Sequence, residues 1–259
     1  MSGTEAVLVE DRGAVRLLTL NQPERRNALS PLVREALHDA LAPAMADPQV
    51  RAVVITGAGG TFCAGGDLSA MTPGAGLAGR DRVERLQRIG RLLLGGPKVV
   101  IAAVEGHAVG AGLALAAACD LVVAASDARF TSAFDKVGLM PDLGALWTLP
   151  WRIGMGATRR FVFAGEAVTG DEARAMGLAD FVSSPGGALD LALERAAAIA
   201  AGPTRAFALA KSMLAMHPST LDPFLRAEAD AQGLLFTSED FAEGRAAFLE
   251  KRKASFSGF

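Results

Sequence analysis

Two short segments near the start alternate apolar and polar residues, AVLVED (6–11) and AVRLLTLN (14–21). Alternation of that kind predicts a pair of strands, and Gly13 between them marks a hairpin turn. The pattern changes at LSPLVREALHDALAPAM (29–45), which reads as a helix with Ser30 as N-cap and Pro31 in its first turn. VRAVVITGAG (50–59), KVVIAAVEG (98–106) and DLVVAAS (120–126) are short apolar runs, as expected for buried strands. HAVGAGLALAAAC (107–119) is too short and too rich in small residues to span a bilayer, so a buried helix over 110–118 is expected.

Strand, glycine turn and helix therefore alternate to about residue 180, which predicts an α/β layered fold. From Ala188 the texture changes to four helical segments: ALDLALERAAAIAAG, RAFALAKSMLAM, FLRAEADAQGLLF and FAEGRAAFLEKRKA. We therefore expect a core over 1–187 and a helical region over 188–259. MTPGAGLAGRDR (71–82) is glycine-rich and reads as a mobile loop, and no internal repeat stands out by eye.

The chain has 259 residues, 51% of them hydrophobic, enough for a sizeable core. A formal net charge of -2 argues against a nucleic-acid partner held by bulk positive charge. Cys63 and Cys119 form neither a disulfide framework nor a metal-ligand spacing, which suits a reduced, cytoplasmic protein. The start, MSGTEAVLVEDRG, is charged early and is not expected to be a signal peptide. Neither a membrane partner nor a bound metal is expected.

Candidate chemistry lies in two glycine-rich turns. TFCAGGDLSAM (61–71) and GHAVGAGLALA (106–116) each follow a strand; neither carries a Walker lysine or a clean GxGxxG. Small residues at such turns expose backbone N–H groups, and two turns brought together would form an oxyanion hole. Spacing alone equally allows turns that only permit close helix packing.

Together with NQPERRNALS (21–30), EGHAVGAGLALAAACDLVVAA (105–125) and FAEGRAAFLEKRKASF (241–256), TFCAGGDLSAM resembles the crotonase (enoyl-CoA hydratase/isomerase) superfamily. The similarity covers nearly the whole chain in the expected order. It implies a crotonase-like spiral of ββα turns, a helical C-terminal trimerisation region, and assembly as a homotrimer or hexamer. It implies an acyl-CoA thioester substrate, with coenzyme A entering as part of that substrate and no separate cofactor. The family's two oxyanion-hole N–H groups fall on Ala64, just before Gly65-Gly66-Asp67, and on Ala111. Gly65, Gly66, Asp67, Leu68, Gly110 and Phe134 are the implied substrate neighbours. Arg25 and Ala28 are candidates for the adenosine end of CoA, and Lys251 for a phosphate. Asp67 also suits a turn cap.

The resemblance also shows a departure. Family hydratases use two glutamates, and their positions here hold Ala114 and Phe134. Neither side chain activates water or carries a proton. What remains is Asp142, in LMPDLGALW (139–147), at a position where some isomerase and dehalogenase branches carry an aspartate. The wider SAFDKVGLMPDLGALWTLP resembles the ring-epoxide isomerase branch of phenylacetate breakdown, close in chemistry to Δ3,Δ2-enoyl-CoA isomerases. Desolvation between Met140, Leu143 and Trp147 would raise the basicity of Asp142. Its alternative role is the N-cap of a helix beginning near Leu143.

Asp142 as a dehalogenase-type nucleophile would also need a histidine after the first turn, and none occurs between His38 and His107. A non-catalytic acyl-CoA binding protein is a further reading. His107 is read as structural, although it could line the pocket. His38 and His217 are expected to be remote from the chemistry, Asp120 to cap or turn the chain, and Asp135 and Lys136 to form a solvated pair.

Overall fold

The computed structural model describes residues 5–71, 76–216 and 220–258. Strands β1 (Val7–Arg12) and β2 (Val15–Leu20) form the expected hairpin around Gly13, which sits at φ +63°. Ser30 caps helix α1 (Pro31–Ala46), its side chain accepting from the Val33 N–H at 3.2 Å. Strands β3 (Ala52–Gly57), β4 (Val99–Val104), β6 (Leu121–Ala125) and β9 (Phe181–Ser183) complete a six-stranded sheet. Its order is β1-β2-β3-β4-β6-β9, parallel except for the hairpin. Parallel strands covered on both faces read as continuous apolar runs, which is why β3, β4 and β6 were visible in the sequence.

A smaller sheet lies beside it: β5 (His107–Val109), β7 (Arg129–Thr131) and β8 (Ala167–Thr169). Each is three residues long, too short for a pattern to declare. Helix α3 (Ala111–Ala118) follows β5, and α4 (Ala145–Ala164) follows β7 after a long connection. Each turn of the chain thus runs from a strand in the large sheet, through a short strand, to a helix. In the first two turns the short strand shrinks to single bridges, Leu29 with Gly66 and Cys63 with Ala108. The ββα spiral is therefore present although its repeat is hidden in the sequence.

Helix α2 (Leu77–Gly95) begins inside the stretch expected to be a loop over 71–82. Leu86, Ile89, Gly90 and Leu93 form its buried stripe, and burial of that stripe overrides the weak helix propensity of its glycines. Residues 72–75 of that expected loop lie outside the described residues. After α5 (Gly170–Met176), the chain ends in α6 (Ala188–Ala200), α7 (Thr204–Ala215), α8 (Leu221–Phe236) and α9 (Glu239–Glu250). These are the four predicted segments. Ala188, Ala192, Ala196 and Ala200 repeat every four residues and bury α6 against β3 and β4. The first helix beyond Ala188 is thus part of the core, α7 packs on α2 and β4 with Lys211 buried, and α8 and α9 follow beyond it. No described helix is long and apolar enough to cross a membrane.

Candidate active site

The first glycine turn is held from below by the segment that precedes α1. Asn27 is fully buried at φ +56°, and its Nδ2 donates to the carbonyls of Ala58 (2.9 Å) and Thr61 (2.7 Å). Its Oδ1 accepts from the Gln22 N–H at 2.9 Å, so one side chain fixes three backbone groups. The Leu29 N–H donates to the Gly65 carbonyl at 2.7 Å. Asp67 accepts from the Ser69 N–H at 3.0 Å and pairs with Arg25 at 3.1 Å. The Ser69 hydroxyl contributes most to holding the Asp67 carboxyl below the usual carboxylate range. Asp67 therefore caps the turn, and Arg25 is tied to it; Ala28 is half-buried and Leu68 exposed on the same segment.

The second turn abuts the first. A Cβ on Gly65, which sits at φ +99°, would lie 2.7 Å from the Val109 carbonyl and 3.5 Å from the Ala111 nitrogen. A Cβ on Gly112 would collide with the Cys63 carbonyl. Glycine is required at both positions, one for its backbone angle and one for close approach.

The structure corrects one expectation. The Ala64 N–H donates to the Arg26 carbonyl at 2.9 Å, so it is already spent inside the fold. The free donor is two residues on: the Gly66 N–H is engaged by no other group among the described residues. Ala111 is the first residue of α3, where an N–H has no acceptor within the helix. Gly66 thus replaces Ala64 as the candidate donor on the first turn, with Ala111 the candidate on the second. Arg26, with φ +50°, turns its carbonyl onto Ala64, a backbone contact that spacing in the sequence does not reveal.

Both hydratase positions are apolar and enclosed. Ala114 is 0% exposed within α3, whose eight residues are all buried. Phe134 is 8% exposed, and a Cβ on Gly110 would lie 4.0 Å from its ring.

Asp142 precedes α4 but does not cap it. The N-cap is Gly144, no side chain caps that end, and the helix begins at Ala145 rather than near Leu143. The Asp142 main-chain carbonyl accepts from the Ala145 N–H at 3.0 Å, while its Oδ1 is buried with no hydrogen-bond partner. Burial raises the pKa of the carboxyl, opposed by the positive charges of Arg82 and Arg34. Met140 is 71% exposed and so supplies no desolvation, contrary to expectation; Leu143 is buried and Trp147 partly exposed. Leu143 has φ +51° and Ala133 φ +56°, so left-handed non-glycine residues bracket the Phe134–Asp142 segment. Each costs about 1–2 kcal/mol, and such strain persists where the surroundings enforce it.

Arg34 and Arg82 were not found from the sequence. Arg34 is 7% exposed, in the buried stripe Val33, Arg34, Leu37, Leu41, Ala44 of α1. An arginine within an apolar stripe was the available signal. Arg82 sits in the stretch read as loop; a Cβ on Gly66 would lie 3.2 Å from its Nη2, so its guanidinium packs beside Gly66.

The other candidates lie elsewhere. Lys251 ends α9, whose chief neighbour is α8, and not on the elements carrying the rest of the site. His107 is exposed, and His38 contacts Arg88 and Asp39 on the surface. Asp120 is a structural anchor: it accepts from the Val100 N–H at 2.8 Å and pairs with buried Lys211 at 2.6 Å. Asp135 and Lys136 are both exposed. His217 lies outside the described residues. A cavity of about 590 Å³ beside Leu143 and Gly144 is walled by Gly90, Leu94 and Trp147.

Comparison with known proteins identifies the family to which this fold belongs. The enoyl-CoA hydratase/isomerase family model matches residues 10–258. The chain belongs to that family. It is 36% identical to the 1,2-epoxyphenylacetyl-CoA isomerase of Escherichia coli, over 98% of this chain and 99% of that one. It is 34% identical to the crotonyl-CoA hydratase of Syntrophomonas wolfei, over 97% and 98% respectively. The crystal structure of an enoyl-CoA hydratase from Polaromonas sp. JS666 superposes with a TM-score of 0.91 at 37% identity, covering 96% of this chain and 99% of that one. This enoyl-CoA hydratase/isomerase family member thus has relatives named for either reaction, and its own acid positions must discriminate between them.

Proposed function

We propose that this family member is an acyl-CoA isomerase that shifts a double bond, or isomerises a ring-type acyl-CoA, with Asp142 as its single acid/base. The observation that carries the reading is a half-buried carboxylate whose Oδ1 is enclosed and unpartnered, in a chain whose two hydratase positions are Ala114 and Phe134. For a 3-enoyl thioester, the Asp142 carboxylate takes a proton from C2. The electrons pass through the carbonyl to give a dienolate. Its oxygen accepts from the Gly66 and Ala111 N–H groups, and the positive end of α3 adds to the attraction. Protonated Asp142 then returns the proton at C4, leaving the 2-enoyl thioester and the original carboxylate. One base suffices because no water is consumed. Each donor of this kind is typically worth about 3–4 kcal/mol in the transition state.

Coenzyme A arrives as part of the substrate, with Arg25 and Ala28 at its adenosine end; Lys251, on α9 and away from these residues, is not assigned a phosphate. Leu221, Leu225, Leu234 and Phe248 are exposed on α8 and α9, which supports burial of these helices in a homotrimer or hexamer. Both cysteines are buried and unpaired, their thiols pushed up to about 12 chiefly by burial, which suits a reducing cytoplasm.

The reading is tested with a 3-enoyl-CoA in deuterated water. Conversion to the 2-enoyl thioester is the expected result. Hydration of a 2-enoyl-CoA at a rate matching or exceeding isomerisation refutes it. Tight acyl-CoA binding without turnover makes the protein a binding module instead.

A further inference from the structure

Helix α2 turns one arginine toward the core. Arg82 stands four residues before Leu86 and seven before Ile89, so it extends the buried stripe that runs on to Leu93. It is half-buried, whereas Arg80, Arg85, Arg88 and Arg91 are exposed. Arg80 pairs with Glu84 at 2.6 Å and Arg88 with Glu35 at 3.6 Å, while Arg82 makes no ion pair or hydrogen bond among the described residues. Its guanidinium packs against the first glycine turn. Gly66 lacks the positive φ of Gly65, so its backbone would admit a side chain, but the space would not. A Cβ there would lie 2.8 Å from the Met71 Cε and 3.2 Å from the Arg82 Nη2. The methyl and the guanidinium together fill the volume that a side chain at residue 66 would take. Asp67, next along the turn, is engaged by Ser69 and Arg25 and does not neutralise Arg82. The Asp142 Oδ1 accepts from no group, although Arg82 is the leading charge opposing the burial that raises the Asp142 pKa. A half-buried, unpaired positive charge therefore abuts the residue whose N–H is the candidate donor.

We propose that Arg82 is the charged member of the oxyanion site, its guanidinium lying beside Gly66 and stabilising the negative charge that develops on the thioester oxygen. The inference rests on the reading of the Gly66 and Ala111 N–H groups as donors to that oxygen. The backbone pair holds the enolate by direct hydrogen bonds, and Arg82 adds a field that exchanges no proton. In the ground state the thioester carbonyl is only a dipole, whereas the enolate oxygen approaches a full negative charge. A fixed cation beside it therefore favours the transition state over the bound substrate. Partial burial keeps that charge from being screened as fully as those of the exposed arginines on α2.

The test reads the carbonyl without turnover. Butyryl-CoA labelled with carbon-13 at its thioester carbonyl has no double bond to shift, and its bound NMR signal reports the polarisation of that carbonyl. Saturating probe is added to full-length wild type, Arg82→Met and Arg82→Lys, with Arg82→Gln as the neutral variant where the methionine variant does not fold. The signal bound to wild type should lie downfield of the free one. The neutral variants should move it part of the way back, and lysine should restore most of the shift. With a 3-enoyl-CoA, on the pH plateau of each variant, kcat should fall about tenfold in Arg82→Met with KM little changed. That loss is smaller than the roughly 10²- to 10³-fold of removing a direct oxyanion donor. An equal loss of shift in the methionine and lysine variants overturns the proposal. A raised KM with kcat unchanged also overturns it and makes Arg82 a binding residue for the CoA phosphates. A wild-type shift that survives intact in the neutral variants overturns the role of Arg82 alone, whereas a wild-type signal unmoved by binding overturns the donor pair and the proposal together.

Discussion

Replacing Asp142 by asparagine should push activity and stability in opposite directions. The substitution keeps the size of the side chain and removes its charge and its proton. As the sole acid/base, Asp142 should contribute about 10²- to 10⁴-fold to the chemical step, so isomerisation should fall by that factor. Stability should respond differently. The folded protein holds the Asp142 proton more tightly than the unfolded chain, because burial raises its pKa more than Arg82 and Arg34 lower it. That contribution is fully present below the unfolded pKa and is lost as pH rises through the folded one. At pH 7.5 the ionised, partly desolvated carboxylate therefore opposes folding, with each pH unit of elevation corresponding to about 1.4 kcal/mol before solvent screening. Asp142→Asn should thus be more stable than wild type at pH 7.5, on the order of 1 kcal/mol, and the advantage should vanish near pH 4. Turnover is followed by the absorbance of the conjugated thioester, and stability by urea unfolding at the two pH values. A helix cap predicts the reverse, a loss of about 1 kcal/mol with activity preserved. An inactive variant that is also destabilised at pH 7.5 would refute the electrostatic reasoning, and an active one the chemical reasoning.

Lys211 donates to the Lys98 carbonyl at 2.8 Å and to Asp120 at 2.6 Å, both at the sheet, so Lys211→Met strands a buried carboxylate. It should cost about 3–5 kcal/mol in urea unfolding. Burial already raises the Asp120 pKa against the pull of Lys211, so that loss should shrink as pH falls and the carboxyl takes up its proton. Asp120→Asn added to Lys211→Met should recover much of the stability, and an additive double variant would contradict the coupling. Asn27→Ala removes three hydrogen bonds and places alanine at φ +56°, which should destabilise by about 3 kcal/mol. A change in the unfolding midpoint worth under about 0.5 kcal/mol would show that the turn is held by other groups.

What the sequence revealed depended on how far apart the interacting residues lie. The hairpin at Gly13 and the cap at Ser30 are local, and their signals are complete within a few residues. The main parallel strands declare themselves because burial on two faces demands unbroken apolar runs. Helix α2 escaped because its opening is rich in glycine, and its stripe of Leu86, Ile89 and Leu93 lies beyond that opening. The short strands β5, β7 and β8 are held by pairing with distant chain, which three residues cannot encode alone. In the site, the absence of both glutamates was plain, since absence needs only position. Which N–H stays open was not: Ala64 and Gly66 are chemically equivalent until the Arg26 carbonyl, brought over by the turn at Pro23–Arg25, occupies one of them.

The proposed mechanism separates two tasks. On the proposed reading, stabilising an enolate needs only backbone, which the two glycine turns, packed together at Gly65 and Gly112, would supply. Moving protons needs a side chain, and its placement selects the reaction. Helix α3 follows the second turn directly, yet its interior is filled with small buried residues around Ala114, leaving no acid there to hold water against a double bond. Asp142 instead stands on a segment bracketed by left-handed Ala133 and Leu143, off both turns. A single mobile proton served from there suits abstraction at one carbon and return at another, whereas hydration would require a second group to orient water. On the proposed reading, the packing that closes the hydratase position leaves the isolated aspartate as the proton carrier.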